Sequence, residues 1–130
     1  MIFLNEIRDW IKTFGVAENY YIGKLDNKKD KSIGVYQLES HSPTFALGQE
    51  SSYEIKRISL LIHWNKNQNE SERAACDLYK KLKAVSSCNL NGTHVYFITL
   101  SHAEPVFVDT DGSGVYEWVI EFEICYEREE

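Results

Sequence analysis

The sequence has no CxxC pair, no HExxH, no glycine-rich phosphate loop and no GxSxG elbow, and each absence removes a chemistry. Its three cysteines, Cys76, Cys88 and Cys125, are odd in number and widely spaced. That suits reduced thiols better than a disulfide framework or a zinc site. Proline is scarce at two residues and glycine modest at seven, while aromatics reach 13%, a balance that argues against disorder. No apolar run approaches the ~20 residues of a membrane-spanning helix, so no membrane partner is expected. Basic residues are outnumbered, 14 against 20, giving a net charge of −6 with no Lys/Arg cluster on one face. A sequence-specific DNA-binder is therefore not expected. The opening Met1-Ile2-Phe3-Leu4-Asn5-Glu6 lacks a basic leader and its apolar stretch breaks at once, so folding in the cytoplasm is expected.

What remains is one domain's worth of patterned chain: 130 residues with no linker or internal repeat. Phe3, Ile7, Trp10 and Phe14 recur at helical spacing, with Leu4 and Ile11 widening the stripe and Gly15 as a stop. Tyr20 to Leu25 and Ile33 to Leu38 read as two strands forming a hairpin across the charged turn at 26–32. Residues 39–52 read as a long loop whose only large apolar side chains are Phe45 and Leu47. Such loops are usually functional, so this one is expected to order on contact with a neighbour.

Tyr53 to Trp64 alternates as a strand, with Ile58, Leu60, Ile62 and Trp64 on one face and His63 opposite. Asn69 followed by Glu72 suggests a capping box opening a helix to about Val85, with Ala75, Leu78, Leu82 and Val85 as its buried stripe. A loop at 89–92, strands at His94–Leu100 and Val106–Val108, a turn, and a final strand from Val115 to Tyr126 complete the pattern. The expected fold class is α+β: one mostly antiparallel sheet with two main helices packed on one face.

Few constellations carry chemistry. Asp109-Thr110-Asp111-Gly112-Ser113-Gly114 resembles the first half of a calcium loop, with Gly114 in sixth place. Its twelfth position is Ile120 where a bidentate Glu belongs, which favours a hairpin turn over a weak cation site. His41, His63, His94 and His102 are far apart and read as surface or edge histidines. No metal, cofactor or enzyme activity is expected.

The charge layout says more. Residues 84–130 hold one basic side chain, Arg128, against nine acidic ones. In the last strand Tyr116, Trp118, Ile120, Phe122, Ile124 and Tyr126 share one face. Glu117, Glu121, Glu123 and Glu127 share the other, with Val119 and Cys125 among them. Like charges two apart on one strand face repel. This face is either solvated, set against basic residues of another subunit, or lining a passage for nucleic acid that must not stick.

Several stretches resemble a family of bacteriophage minor capsid, or tail-terminator-like, proteins. They are Phe3-Leu4-Asn5-Glu6-Ile7, Tyr21-Ile22-Gly23-Lys24-Leu25, Ile33-Gly34-Val35-Tyr36 and, most clearly, Gly114-Val115-Tyr116-Glu117-Trp118. The helix bearing Ala74, Tyr79 and Leu82 also fits. The chain departs from the family where an Arg near the end of the preceding strand is replaced by His63-Trp64.

The resemblance implies a structural virion protein of a long-tailed phage, located at the head–tail junction. It implies a homo-oligomeric ring, usually of six, that caps the tail tube and joins it to the head connector while DNA passes through the lumen unbound. Candidate lumen or interface residues are then Glu117, Glu121, Glu123 and Glu127. Candidate contact loops carry Lys28, Lys29, Lys31, Phe45, Leu47, Asp109 and Asp111. The acidic strand equally suits a small interaction module, such as a nucleic-acid-mimicking inhibitor or an immunity-type partner of a basic toxin.

Overall fold

The computed structural model describes residues 1–24, 29–40 and 53–128. Two helices and seven strands follow the order α1 (Leu4–Lys12), β1 (Asn19–Ile22), β2 (Ser32–Leu38), β3 (Tyr53–His63), α2 (Gln68–Lys83), β4 (Cys88–Leu90), β5 (Thr93–Leu100), β6 (Val106–Thr110) and β7 (Tyr116–Glu127). Strand order is β1-β2-β3-β7-β5-β4, with β6 also paired to β7. The α+β class holds, but the expected sheet does not. It is mixed and curls into a half-barrel rather than a mostly antiparallel sheet with helices laid on one face.

The parallel pair is β1 with β2, where a hairpin was expected. The N–H groups of Glu18 and Asn19 both donate to the Lys31 carbonyl, at 2.9 and 3.2 Å. That sets the start of β1 beside the start of β2. Gly23, just after β1 at φ +71°, and Lys31, just before β2 at φ +55°, are both left-handed. Elsewhere the pairing is antiparallel, as in the full-length register of β3 on β7. Irregularities between Val95 and Phe97 and between Phe107 and Asp109 let β5 and β6 take successive stretches of the same β7 edge. Such bulges bend the strand and increase its twist.

The alternation of β7 builds the core. Trp118, Ile120, Phe122, Ile124 and Tyr126 are buried in one cluster with Ile58, Leu60 and Ile62 of β3. Ile7 and Ile11 of α1, and Ala75, Leu78 and Leu82 of α2, join the same cluster. Trp10 of α1 meets Phe122 edge-on, with ring centroids 6.4 Å apart. The indole N–H of Trp118 donates to the fully buried Ser71 hydroxyl of α2 at 3.0 Å.

Local signals were correct in kind and sometimes displaced. The helix cap is Asn67, whose side chain accepts from the Glu70 N–H at 3.0 Å, and not Asn69. Both asparagines have a Glu three residues on, so local spacing does not separate them. Starting at Gln68 places Ser71 under Trp118. The stretch read as a loop at 89–92 overlaps the end of β4, which is joined to β5 by an Asn91-Gly92 turn with φ of +50° and +90°. Both residues are left-handed, as a tight hairpin of this kind requires.

Trp118→Ala removes the largest core side chain of β7 and its bond to Ser71. Chemical denaturation is expected to show a loss of about 3–5 kcal/mol. A loss below about 1 kcal/mol would place Trp118 outside the core.

Candidate functional site: the acidic face of the central strand

The alternation that buries Trp118 sends Glu117, Glu121, Glu123 and Glu127 to the opposite face, and all four are half-buried. Their cross-strand partners on β3 are His63, Ser59, Arg57 and Tyr53 respectively. These neighbours divide the four carboxylates into two kinds.

Glu117 and Glu127 are engaged within the subunit. Glu127 accepts the His94 backbone N–H at 3.0 Å. Glu117 Oε2 lies 2.9 Å from Nδ1 of His63. His63 is fully buried, which corrects its reading as a surface or edge histidine. Strand alternation put it on the polar face, but the turn between β6 and β7 folds over that face. Asp111 of that turn brings Oδ2 to 3.8 Å from His63 Nε2. Both ring nitrogens thus face carboxylates, with a hydrogen bond on the Glu117 side alone.

The turn joins β6 to β7 as a hairpin. Asp111 Oδ1 accepts the N–H groups of Ser113 and Val115 at 2.8 and 2.9 Å. Gly114, at φ +86°, closes the turn with its N–H on the Asp111 carbonyl. Desolvation works against the Asp111 carboxylate. The N–H groups of Val115, Ser113 and Gly114, together with His63, outweigh it and hold the carboxyl below its ordinary value. Burial, with a contribution from Glu117, pushes the Tyr36 hydroxyl up on the same face.

Glu121 and Glu123 are the second kind. Neither makes an ion pair among the described residues. The nearest cross-strand cation, Arg57, donates instead to the Glu39 carbonyl at 2.9 Å. Thr99 flanks Glu123 from β5. Two half-buried carboxylates on one strand face thus stand without an ion pair among the described residues, with the Arg57 guanidinium at the cross-strand position of Glu123.

The other expected contact residues scatter. Lys31 is used inside the subunit: it lies 3.7 Å from Glu18 and 3.8 Å from Glu70, with its ammonium 5.9 Å from the Trp64 ring centre. Lys29 is exposed, and its carbonyl accepts the Ser32 hydroxyl at 2.9 Å. Asp109 is exposed on β6 and accepts the Thr110 N–H at 2.7 Å. Lys28, Phe45 and Leu47 lie outside the described residues. Among the described residues no helix is long and apolar enough to cross a membrane, and no group of three or more His, Cys, Asp or Glu is arranged to hold a metal.

A family model described as bacteriophage tail terminator protein matches residues 3–128. The chain belongs to this family. It is thus a structural protein of a phage tail, in agreement with the resemblance carried by the Gly114–Trp118 stretch. No curated protein matches the chain. Within this tail terminator the matched span includes β7 and its acidic face, the capped α2 and the β6–β7 turn.

Asp111→Ala deletes the acceptor that organises the turn and frees one side of His63. At neutral pH a stability loss of roughly 1.5–3 kcal/mol is expected, the range for hydrogen bonds to a charged group. The folded-state pKa is depressed, so this contribution is present above the ordinary carboxylate value of about 4. It is lost as pH falls through the lowered value. Wild type and variant should converge in denaturation midpoint toward acid; a gap that widens toward acid would contradict the assignment.

Proposed function

We propose that this tail terminator works as a closed homo-oligomeric ring, of six copies, that caps the tail tube at the head–tail junction and joins it to the head connector. Its partners are then copies of itself, the last ring of tube subunits and the connector. DNA traverses the lumen without specific binding. The role is structural, and no step of it calls for a cofactor or a reacting side chain.

The observation that carries this reading is the pair Glu121 and Glu123, half-buried on the outer face of β7 with no ion-pair partner among the described residues. A wall that lets a polyanion slide needs fixed negative charge that is not neutralised locally. Repulsion keeps the duplex off the wall, within a Debye length of about 8 Å at physiological ionic strength. Glu117 and Glu127 have the different task of bracing the ends of the strand through His63 and the β5 backbone.

The reading is tested with Glu121→Lys plus Glu123→Lys. Light scattering after size exclusion should find the ring intact, and a filter-binding assay should find DNA retained at low salt and released at high salt. If the glutamates instead meet basic residues of a neighbour, the same variant fails to assemble, each broken desolvated pair costing on the order of 2–5 kcal/mol. A wild-type protein that stays monomeric and binds a basic protein tightly favours the acidic interaction module instead. A variant that assembles and ignores DNA returns this face to a solvated surface.

A further inference from the structure

β6 is an unusual edge. One side pairs with Tyr116–Val119 of β7, and among the described residues no strand pairs with the other. All five of its residues are exposed. Three consecutive ones are apolar: Val106 at 41%, Phe107 at 47% and Val108 at 50% exposure. Free edges normally carry charge, proline or a covering segment, because a bare row of N–H and C=O groups recruits another strand. Here Pro105 stands just before the strand, Phe107 leans on Tyr116 and Trp118, and among the described residues no strand covers the outer edge of Val106 and Val108.

The opposite end of the sheet has a matching edge. β1 pairs with β2 on one side only. A groove beside it is lined by Arg8, Asp9, Lys12, Glu18, Tyr20 and Tyr21, with Arg8 paired to Asp9 at 3.2 Å, and Ile22 at its end is 40% exposed. The β6 edge is acidic, whereas the β1 edge carries both signs, its Asp9 paired with Arg8 and its Glu18 with Lys31. Around β6 stand Glu104 and Asp109, both exposed, in a stretch from 84 to 127 without a single Lys or Arg. Around β1, Lys12 and Lys24 are exposed and form no ion pair among the described residues.

We infer that the β6 edge of one copy adds to the β1 edge of the next, so that the sheet runs on from subunit to subunit. The occupant of the bare edge is therefore a second copy of this chain. Two different edges meet, which makes the contact heterologous, and a heterologous contact that closes generates a ring. Strand addition supplies main-chain hydrogen bonds, the Val106–Val108 run and the tyrosines supply apolar burial, and the lysines set against Asp109 and Glu104 fix the direction. The inference deepens the proposed ring by naming the surfaces that build it, and it rests on that proposal.

The test uses two variants with opposite edges blocked: Val106→Lys plus Val108→Lys, and Tyr21→Lys plus Ile22→Lys. Light scattering should find the wild type assembled and each variant monomeric, its association weakened at least tenfold, with a wild-type circular dichroism spectrum. An equimolar mixture joins the one intact β6 edge to the one intact β1 edge. It should stop at a heterodimer of twice the 15.1 kDa chain mass. Wild-type assembly by both variants, or a mixture that stays monomeric, overturns the edge contact and leaves the ring standing. A wild type that never assembles overturns the ring and this contact with it. If a lysine pair unfolds the chain, Val108→Cys plus Ile22→Cys, with Cys76, Cys88 and Cys125 replaced by Ser and treated with a short bismaleimide, should give a ladder of chain multiples absent from either single variant; its absence overturns the contact.

Discussion

Everything in this fold is hung on β7. β3 pairs with it from Tyr53 opposite Glu127 to His63 opposite Glu117, while β5 and β6 share its other edge. Both helices send apolar side chains into the cluster built on its inner face. Because side chains alternate with period two, a slip of one residue would expose Trp118 and Phe122 and bury four glutamates. The core and the acidic face are two consequences of one register. Substituting on one side of the strand is therefore compatible with keeping the other.

The ends of β7 are braced differently from its middle. At the start, Glu117, His63 and Asp111 form a buried polar cluster that ties the β6–β7 turn to β3. Toward the end, Glu127 takes the His94 N–H and ties β7 to β5. Between them Glu121 and Glu123 make no ion pair among the described residues. Removing the acceptor of a buried or half-buried hydrogen bond leaves its partner unsatisfied, which makes the ends poor places for a contact that must form and dissolve. The middle carries charge outside any such bond, and that is where the proposed passage of DNA is placed.

The alternation of residues 116–126 was legible in the sequence, and with it the core face, the acidic face and the α+β class. So was the tail terminator resemblance, carried by the Gly114–Trp118 stretch. What could not be read depended on contacts between distant segments. His63 lies on a polar strand face, and only the fold-back of the 111–115 turn buries it. β1 and β2 flank a charged turn, as hairpin strands do. Their parallel pairing follows from the Lys31 carbonyl capturing Glu18 and Asn19. Asn67 and Asn69 offer the same capping signal, and the Ser71–Trp118 bond is the tertiary contact that suits the earlier start. Strand β4 is three residues long, too short to show a period, although the Asn91-Gly92 pair after it is a strong hairpin signal. Of the residues expected to meet neighbours, Lys31 is committed within its own subunit, a fact no charge count reveals.

The central claim is that uncompensated charge on β7 faces the channel of a ring made by this chain. The most direct measurement is an electron cryomicroscopy map of the assembled protein, read for the distance of Glu121 and Glu123 from the symmetry axis. The account predicts a closed ring with both side chains on its inner wall and no cation of a neighbour beside them. A ring with these glutamates on its outer rim, or pressed against a neighbour's lysines or arginines, would contradict it.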